Sequence, residues 1–305
     1  MMKTSKILIN INNLEEIENY KKIGITNFLF AIEDYSIGYK TFKIDEIPSD
    51  SYILINRVMD TKSIESLRGI KDDLKRFKGI IFEDLGVYNI LKDDINELIW
   101  FQNHFTINNE SIKFWLNRVD SAVIGNEITK EEIIDIVKSA PKPLIFNVFG
   151  KNQIMYSRRT LLTNFNKYNN LEDYNDMTLD VHGTDNCFFA RENEHGTIIY
   201  NNEYFNYIKF SESLDDEKIK FYLVMNLDLS SDTILDVING LSLGNDGFLN
   251  KKTVYKMSEY NDRWLYEECW IISTSRVIRK DGICIPLWSR CSLFWWKRFF
   301  IKSKC

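Results

Sequence analysis

The sequence predicts an α/β fold: a (β/α) TIM-barrel-like domain followed by a small β-rich domain. Three observations predict it. Short runs rich in Ile, Leu, Val and Phe alternate with helix-patterned segments through the first half, as a parallel β/α architecture requires. At 305 residues, with 44% hydrophobic and 27% charged residues, the chain can bury one large core and a smaller addition. Beyond about Asn170 the spacing shortens and glycine and asparagine turns appear, the texture of antiparallel strands.

In chain order, strand runs are expected at Lys6 to Asn12, Asn27 to Glu33, Ser51 to Asn56, Gly79 to Asp84, Glu97 to Phe105, Ser121 to Glu127 and Pro143 to Gly150. Between the first two, Leu14, Ile17 and Tyr20 share a helical face that stops at Gly24. Ahead of the seventh, Thr129 caps a helix with Glu131 and Glu132 in its first turn and apolar Ile133, Ile134 and Val137. An eighth strand has no obvious sequence, so the barrel is either irregular or closed by an unplaced segment. Turns are expected at His182-Gly183, His195-Gly196 and Asn201-Asn202, then a strand or helix, then a helix capped by Ser231 or Asp232. The expected organisation is a barrel over 1–170, a β-rich domain over 171–256 and a tail over 257–305.

Composition excludes several functions. No apolar run reaches the length of a membrane span, and the apolar stretch near the start is too short for a signal-peptide core, which predicts a cytoplasmic protein without membrane attachment. The tail from Trp264 holds eight Lys/Arg and three acids, so the body before it carries about −10. Such an acidic body argues against direct nucleic-acid binding. Outside the tail Cys187 is alone, with no disulfide partner and too few thiolates for a zinc or iron–sulfur site.

In a β/α barrel the reacting groups stand at the C-terminal ends of strands. Reading those ends gives Glu33 with Asp34, Asn56 with Arg57, Glu83 with Asp84, His104, Glu127 and Asn147. Such a ring can supply a general acid and base, or oxygen ligands for a divalent metal. It is equally what strands meeting solvent produce. No nucleophile elbow, phosphate loop, dinucleotide fingerprint or His-Glu-x-x-His motif is present.

The stretch "NVFGKNQIMYSRRTLLTNFNKY", Asn147 to Tyr168, reads as a strand ending at a glycine, then a loop, then Ser157, Arg158 and Arg159 before an apolar pair. Gly150, Lys151, Met155, Ser157 and Arg158 resemble the signature of the U32 peptidase family, the collagenase-like proteins. Phe101 to Ile133 and the "ENEHGTIIYNNEYFN" stretch are similar to further segments of that family. The resemblance implies a peptidase acting on a peptide or other extended substrate, for which the strand-end residues Glu33, Glu83, Asp84, His104 and Glu127 are the candidate acid–base groups or metal ligands. Substrate binding would fall to Asn56, Asn147, Lys151, Ser157, Arg158 and Arg159. For the two arginines, capture of a carboxylate or phosphate competes with a solvated pair opening a helix. Relatives that hydroxylate RNA bases or quinone precursors hold an iron–sulfur cluster through four cysteines. Arg159 and Thr160 stand in the corresponding turn here, so cluster chemistry is not expected. A second reading is a non-catalytic partner of another family member in RNA or cofactor hydroxylation.

The tail holds five of the seven tryptophans and four of the five cysteines. Its cysteine spacing matches no common zinc module. Read one base forward with free wobble positions, the codons for Trp264 to Lys304 permit a string that resembles the opening of a second U32 protein. The functional chain is therefore expected to end near Asp262, with a relative encoded downstream and the tail without specific structure.

Overall fold

The structure, a computed structural model, describes residues 2–172, 176–181, 187–251 and 299–300. The chain divides into two compact units, 1–177 with 188–251, and 178–187 with 252–305. The tail from 257, save Phe299 and Phe300, and the expected turn at His182-Gly183 lie outside the described residues.

The strands are β1 (Ile7–Asn10), β2 (Asn27–Ile32), β3 (Thr41–Phe42), β4 (Tyr52–Ile55), β5 (Gly79–Phe82), β6 (Leu98–Trp100), β7 (Ser121–Ile124), β8 (Leu144–Ser157), β9 (Asp176–Val181), β10 (Cys187–Asn193), β11 (Gly196–Asn206), β12 (Ile219–Val224) and β13 (Phe299–Phe300). The helices are α1 (Ile17–Lys22), α2 (Thr61–Gly69), α3 (Lys71–Leu74), α4 (Leu85–Leu91), α5 (Asn109–Leu116), α6 (Lys130–Ser139), α7 (Leu161–Asn169), α8 (Ile208–Ser211) and α9 (Ser231–Ile238).

Parallel pairing runs β12-β1-β2-β4-β5-β6-β7-β8, and β8 pairs back onto β12. Eight parallel strands close a TIM-barrel-like α/β fold. The eighth strand is β12, from within the stretch expected to be the β-rich addition. It stays hidden in the sequence because Ile219, Phe221, Tyr222, Leu223 and Val224 are all buried, so no alternation marks it.

Period-2 geometry sorts the strand side chains into two cores. Leu8, Leu29, Leu54, Ile81, Ile99, Val123, Ile145 and Leu223 fill the barrel interior. Ile7, Ile9, Phe30, Ile53, Phe82 and Ile124 face outward to the helix layer. The N-terminal end is plugged: the Tyr52 and Phe221 rings meet edge to face at 5.3 Å, and Lys220 pairs with Glu97 at 2.5 Å. Chemistry is thereby left to the opposite mouth. In the second unit, β13 pairs antiparallel with β9 through Phe299–Val181 and Phe300–Asp180.

Three local expectations are corrected. β8 does not stop at Gly150; it runs on to Ser157 because its outer half pairs antiparallel with β11. Gly150 marks a close approach, since a Cβ there would lie 3.1 Å from Met225 Cβ. Asn201 and Asn202 lie within β11 beside a register shift rather than at a turn. The α9 cap is Ser230, whose hydroxyl accepts from Thr233 N at 3.3 Å.

Candidate active site

The mouth is built from the loops that follow the barrel strands. Over one side arches the hairpin of β10 and β11, tethered to β8 by its antiparallel register. Its far side is clasped to the loop after β2. Arg191 Nη1 donates to Gly38 O at 3.3 Å and Asn193 Nδ2 donates to Ser36 O at 3.4 Å, while Tyr156 of β8 holds the hairpin turn by donating to His195 O at 3.2 Å. Ile198 and Tyr200 of the hairpin pack on Ile37 and Leu227 beneath it. The covered sector therefore spans the ends of β12, β1 and β2. On the other side Val58, Leu85 and Phe105, which follow β4, β5 and β6, stand 48%, 58% and 65% exposed. That sector is open to solvent.

The open sector holds three of the expected catalytic residues. Glu83 follows Phe82 at the end of β5, in step with inward-facing Ile81. Burial alone, without a countercharge or hydrogen bond, pushes its carboxyl up from 4.5 to about 8. Tyr39, Tyr156 and Tyr200 lie within electrostatic reach of it, and burial raises all three hydroxyls. His104 follows β6, and its Nδ1 lies 3.2 Å from Glu127 Oε2 after β7. The two were expected at separate strand ends; the structure brings them together. His104 is not at a strand end, however, because β6 stops at Trp100.

The other expected residues are occupied differently. Asp84 caps α4, accepting from Gly86 N at 2.7 Å, and also holds Met59 N at 3.0 Å. Asn56 spends its whole amide on the backbone of Ile37, accepting from N at 2.9 Å and donating to O at 3.1 Å. Asn147 sits at the bulge where β8 meets β12, its amide nitrogen oriented to donate to Leu223 O at 3.1 Å and Phe149 O at 3.2 Å. Glu33 is exposed at the end of β2. Lys151 lies over the rings of Phe189 and Tyr204, at 4.9 and 5.0 Å. Ser157 Oγ accepts from Arg159 N, Arg158 pairs with Asp60 at 3.0 Å, and the Arg159 side chain is exposed.

The helix after the arginines is capped from a distance. Glu192 of β10 is buried, and its carboxylate accepts from Leu162 N at 2.7 Å, Thr163 N at 2.9 Å and the Thr163 and Thr197 hydroxyls. A carboxylate at an α-helix N-terminus satisfies its free N–H groups and offsets the arginines that precede it. No local signal in the sequence announces a cap about thirty residues away.

Among the described residues, Asp34, Glu194 and His195 bring three ligand-type atoms within 4.8 Å of one another. Arg57 Nη1 lies 3.3 Å from His195 Nε2, and burial with this guanidinium holds the imidazole below its ordinary pKa. The cluster already holds its cation. The five residues expected as metal ligands form no such group.

Residues 39–176 match the family model described as Peptidase family U32. That segment carries Glu83, His104, Glu127 and the whole of β8. No curated protein matches the chain. Among solved structures, a chitinase from Chromobacterium violaceum ATCC 12472 is similar at 10% identity and a TM-score of 0.36, covering 77% of this chain and 98% of that one. The Bacillus cereus spore cortex-lytic enzyme SleL is similar at 9% identity and a TM-score of 0.35, covering 79% and 72%. No described helix is long and apolar enough to cross a membrane.

Proposed function

We propose that this member of peptidase family U32 is a hydrolase that cleaves peptide substrates at the open sector of its barrel mouth. The observation that carries the reading is the pairing of His104 with Glu127 in the loops after β6 and β7, with Glu83 at the end of the neighbouring strand β5. Hydrolysis needs one group to take a proton from water and another to give one to the leaving amine. His104, held by Glu127 through Nδ1, takes the water proton as the water oxygen bonds to the carbonyl carbon. Glu83, protonated at neutral pH, donates to the amine nitrogen as the C–N bond breaks, and the imidazolium proton then restores it. The apolar rim of Val58, Leu85 and Phe105 suits an unfolded chain whose side chains are exposed, as in denatured collagen.

The test is release of new amino termini from denatured collagen by the purified chain, with and without added divalent metal, beside Glu83→Gln. Cleavage lost in the variant supports the reading; no cleavage by the unaltered chain in either condition rejects it. The exposed apolar rim also favours the second reading, a non-catalytic partner of a downstream-encoded relative in RNA or cofactor hydroxylation. Co-purification of that pair without peptidase activity would select it.

A further inference from the structure

We propose that Asn10 and Asn12 form a subsite for a neutral secondary amide, the –CO–NH– unit of a peptide main chain, beneath the hairpin on the covered side of the mouth. Ile7 and Ile9 pack outward while Leu8 packs inward, so Asn10 of β1 takes an inward position, and Asn12 follows just past the end of the strand, after outward-packed Ile11. Asn10 is 0% exposed. Its Nδ2 donates to Asn226 O at 2.8 Å, but its Oδ1 has no hydrogen-bond partner among the described residues. Asn12 goes further: neither its Oδ1 nor its Nδ2 has one, and both are shielded from solvent.

Buried amides in folded proteins are almost always paired, because an unmade hydrogen bond there is costly. Asn12 caps no helix and holds no loop, so no structural duty among the described residues explains an amide in place of a leucine. Together the two side chains offer acceptors at Asn10 Oδ1 and Asn12 Oδ1 and a donor at Asn12 Nδ2. That set matches the N–H and C=O of a peptide unit. Neither side chain carries charge, so the site suits an uncharged ligand. The inference rests on the mouth being the peptide site, and it assigns the residues that would hold the main chain while the open sector handles the scissile bond.

The test is methyl NMR of the full chain labelled at methionine. Met225 is buried on the inner face of the same wall, next to the Asn226 carbonyl that holds Asn10. Its resonance is assigned by Met225→Leu among the seven methionines. N-acetylalanine N-methylamide is titrated as an uncharged peptide unit, with zwitterionic alanine as the charged control. A saturable shift for the amide and none for alanine is expected. Asn12→Leu should keep the fold, checked by its urea midpoint, and weaken binding roughly tenfold or more, the value of one or two neutral hydrogen bonds. No shift in the unaltered chain, equal shifts with alanine, or unchanged affinity in folded Asn12→Leu each overturns the subsite. Binding is scored without turnover. Amide binding without collagen cleavage would therefore sink the peptidase reading alone, and cleavage without amide binding would sink the subsite alone.

Discussion

Glu83→Gln isolates a carboxyl whose surroundings act on it through burial alone. A rise from 4.5 to about 8 is worth at most about 5 kcal/mol of differential stability at about 1.4 kcal/mol per pKa unit. The side chain is only partly covered, so solvent screening is expected to leave about 2–3 kcal/mol. The sign follows from proton counting. Between pH 4.5 and about 8 the unfolded chain releases the Glu83 proton while the folded chain keeps it, so unfolding stability falls as pH rises through that window. Below it the contribution is fully present. Glutamine resembles the protonated acid and does not titrate. Urea unfolding of both proteins at intervals from about pH 5 to about pH 8 should therefore show the variant gaining on the parent by about 2–3 kcal/mol as pH rises. A difference that stays constant across the range would refute the burial argument and, with it, the assignment of Glu83 as a proton donor at neutral pH.

Other substitutions test the remaining parts. His104→Gln and Glu127→Gln should each lower peptidase kcat by about 10²-fold or more with little change in KM, since proton transfer is a transition-state contribution. Steady-state assays separate the two constants. Glu192→Ala removes four hydrogen bonds at the start of α7 and should cost about 3 kcal/mol in urea unfolding. Gly38→Ala should cost about 2 kcal/mol or more by the same measurement, because φ is +84° there and a Cβ would stand 2.0 Å from the Tyr200 hydroxyl.

Seven barrel strands are legible because each is a short apolar run bounded by polar or glycine positions; six predicted runs contain their strand, and the seventh contains the first half of β8. β12 is not, because a strand buried on both faces loses the alternation that distinguishes it from a helix segment. Strand-end logic places Glu83 at the end of β5, whereas His104 and Glu127 fall in the loops beyond β6 and β7 and meet there. It also selects Asp84 and Asn56, which have the right position but whose side chains hold backbone, a difference that only hydrogen-bond partners reveal. Asn10 and Asn12 escape sequence reading for the opposite reason. Asparagine near a strand end reads as a turn former, and its inward direction emerges only from the outward packing of Ile9 and Ile11.

The stretch that resembles the family signature has a physical role different from the one its residue types suggest. Ser157 and Arg158, its most reactive-looking members, bond to Arg159 N and Asp60 at the periphery. Its backbone, by contrast, is the antiparallel half of β8 that carries the hairpin over the mouth. Tyr156 on that half and Tyr200 on the hairpin are two of the three tyrosines within reach of Glu83. Burial alone pushes the Glu83 carboxyl up to about 8, and these tyrosines stand on its hairpin side. If the hairpin were unclasped, the carboxyl would return toward its ordinary value and lose its proton. On the proposed mechanism the signature stretch thus acts through burial: it never touches the substrate bond, yet it sets the protonation state of the group that does.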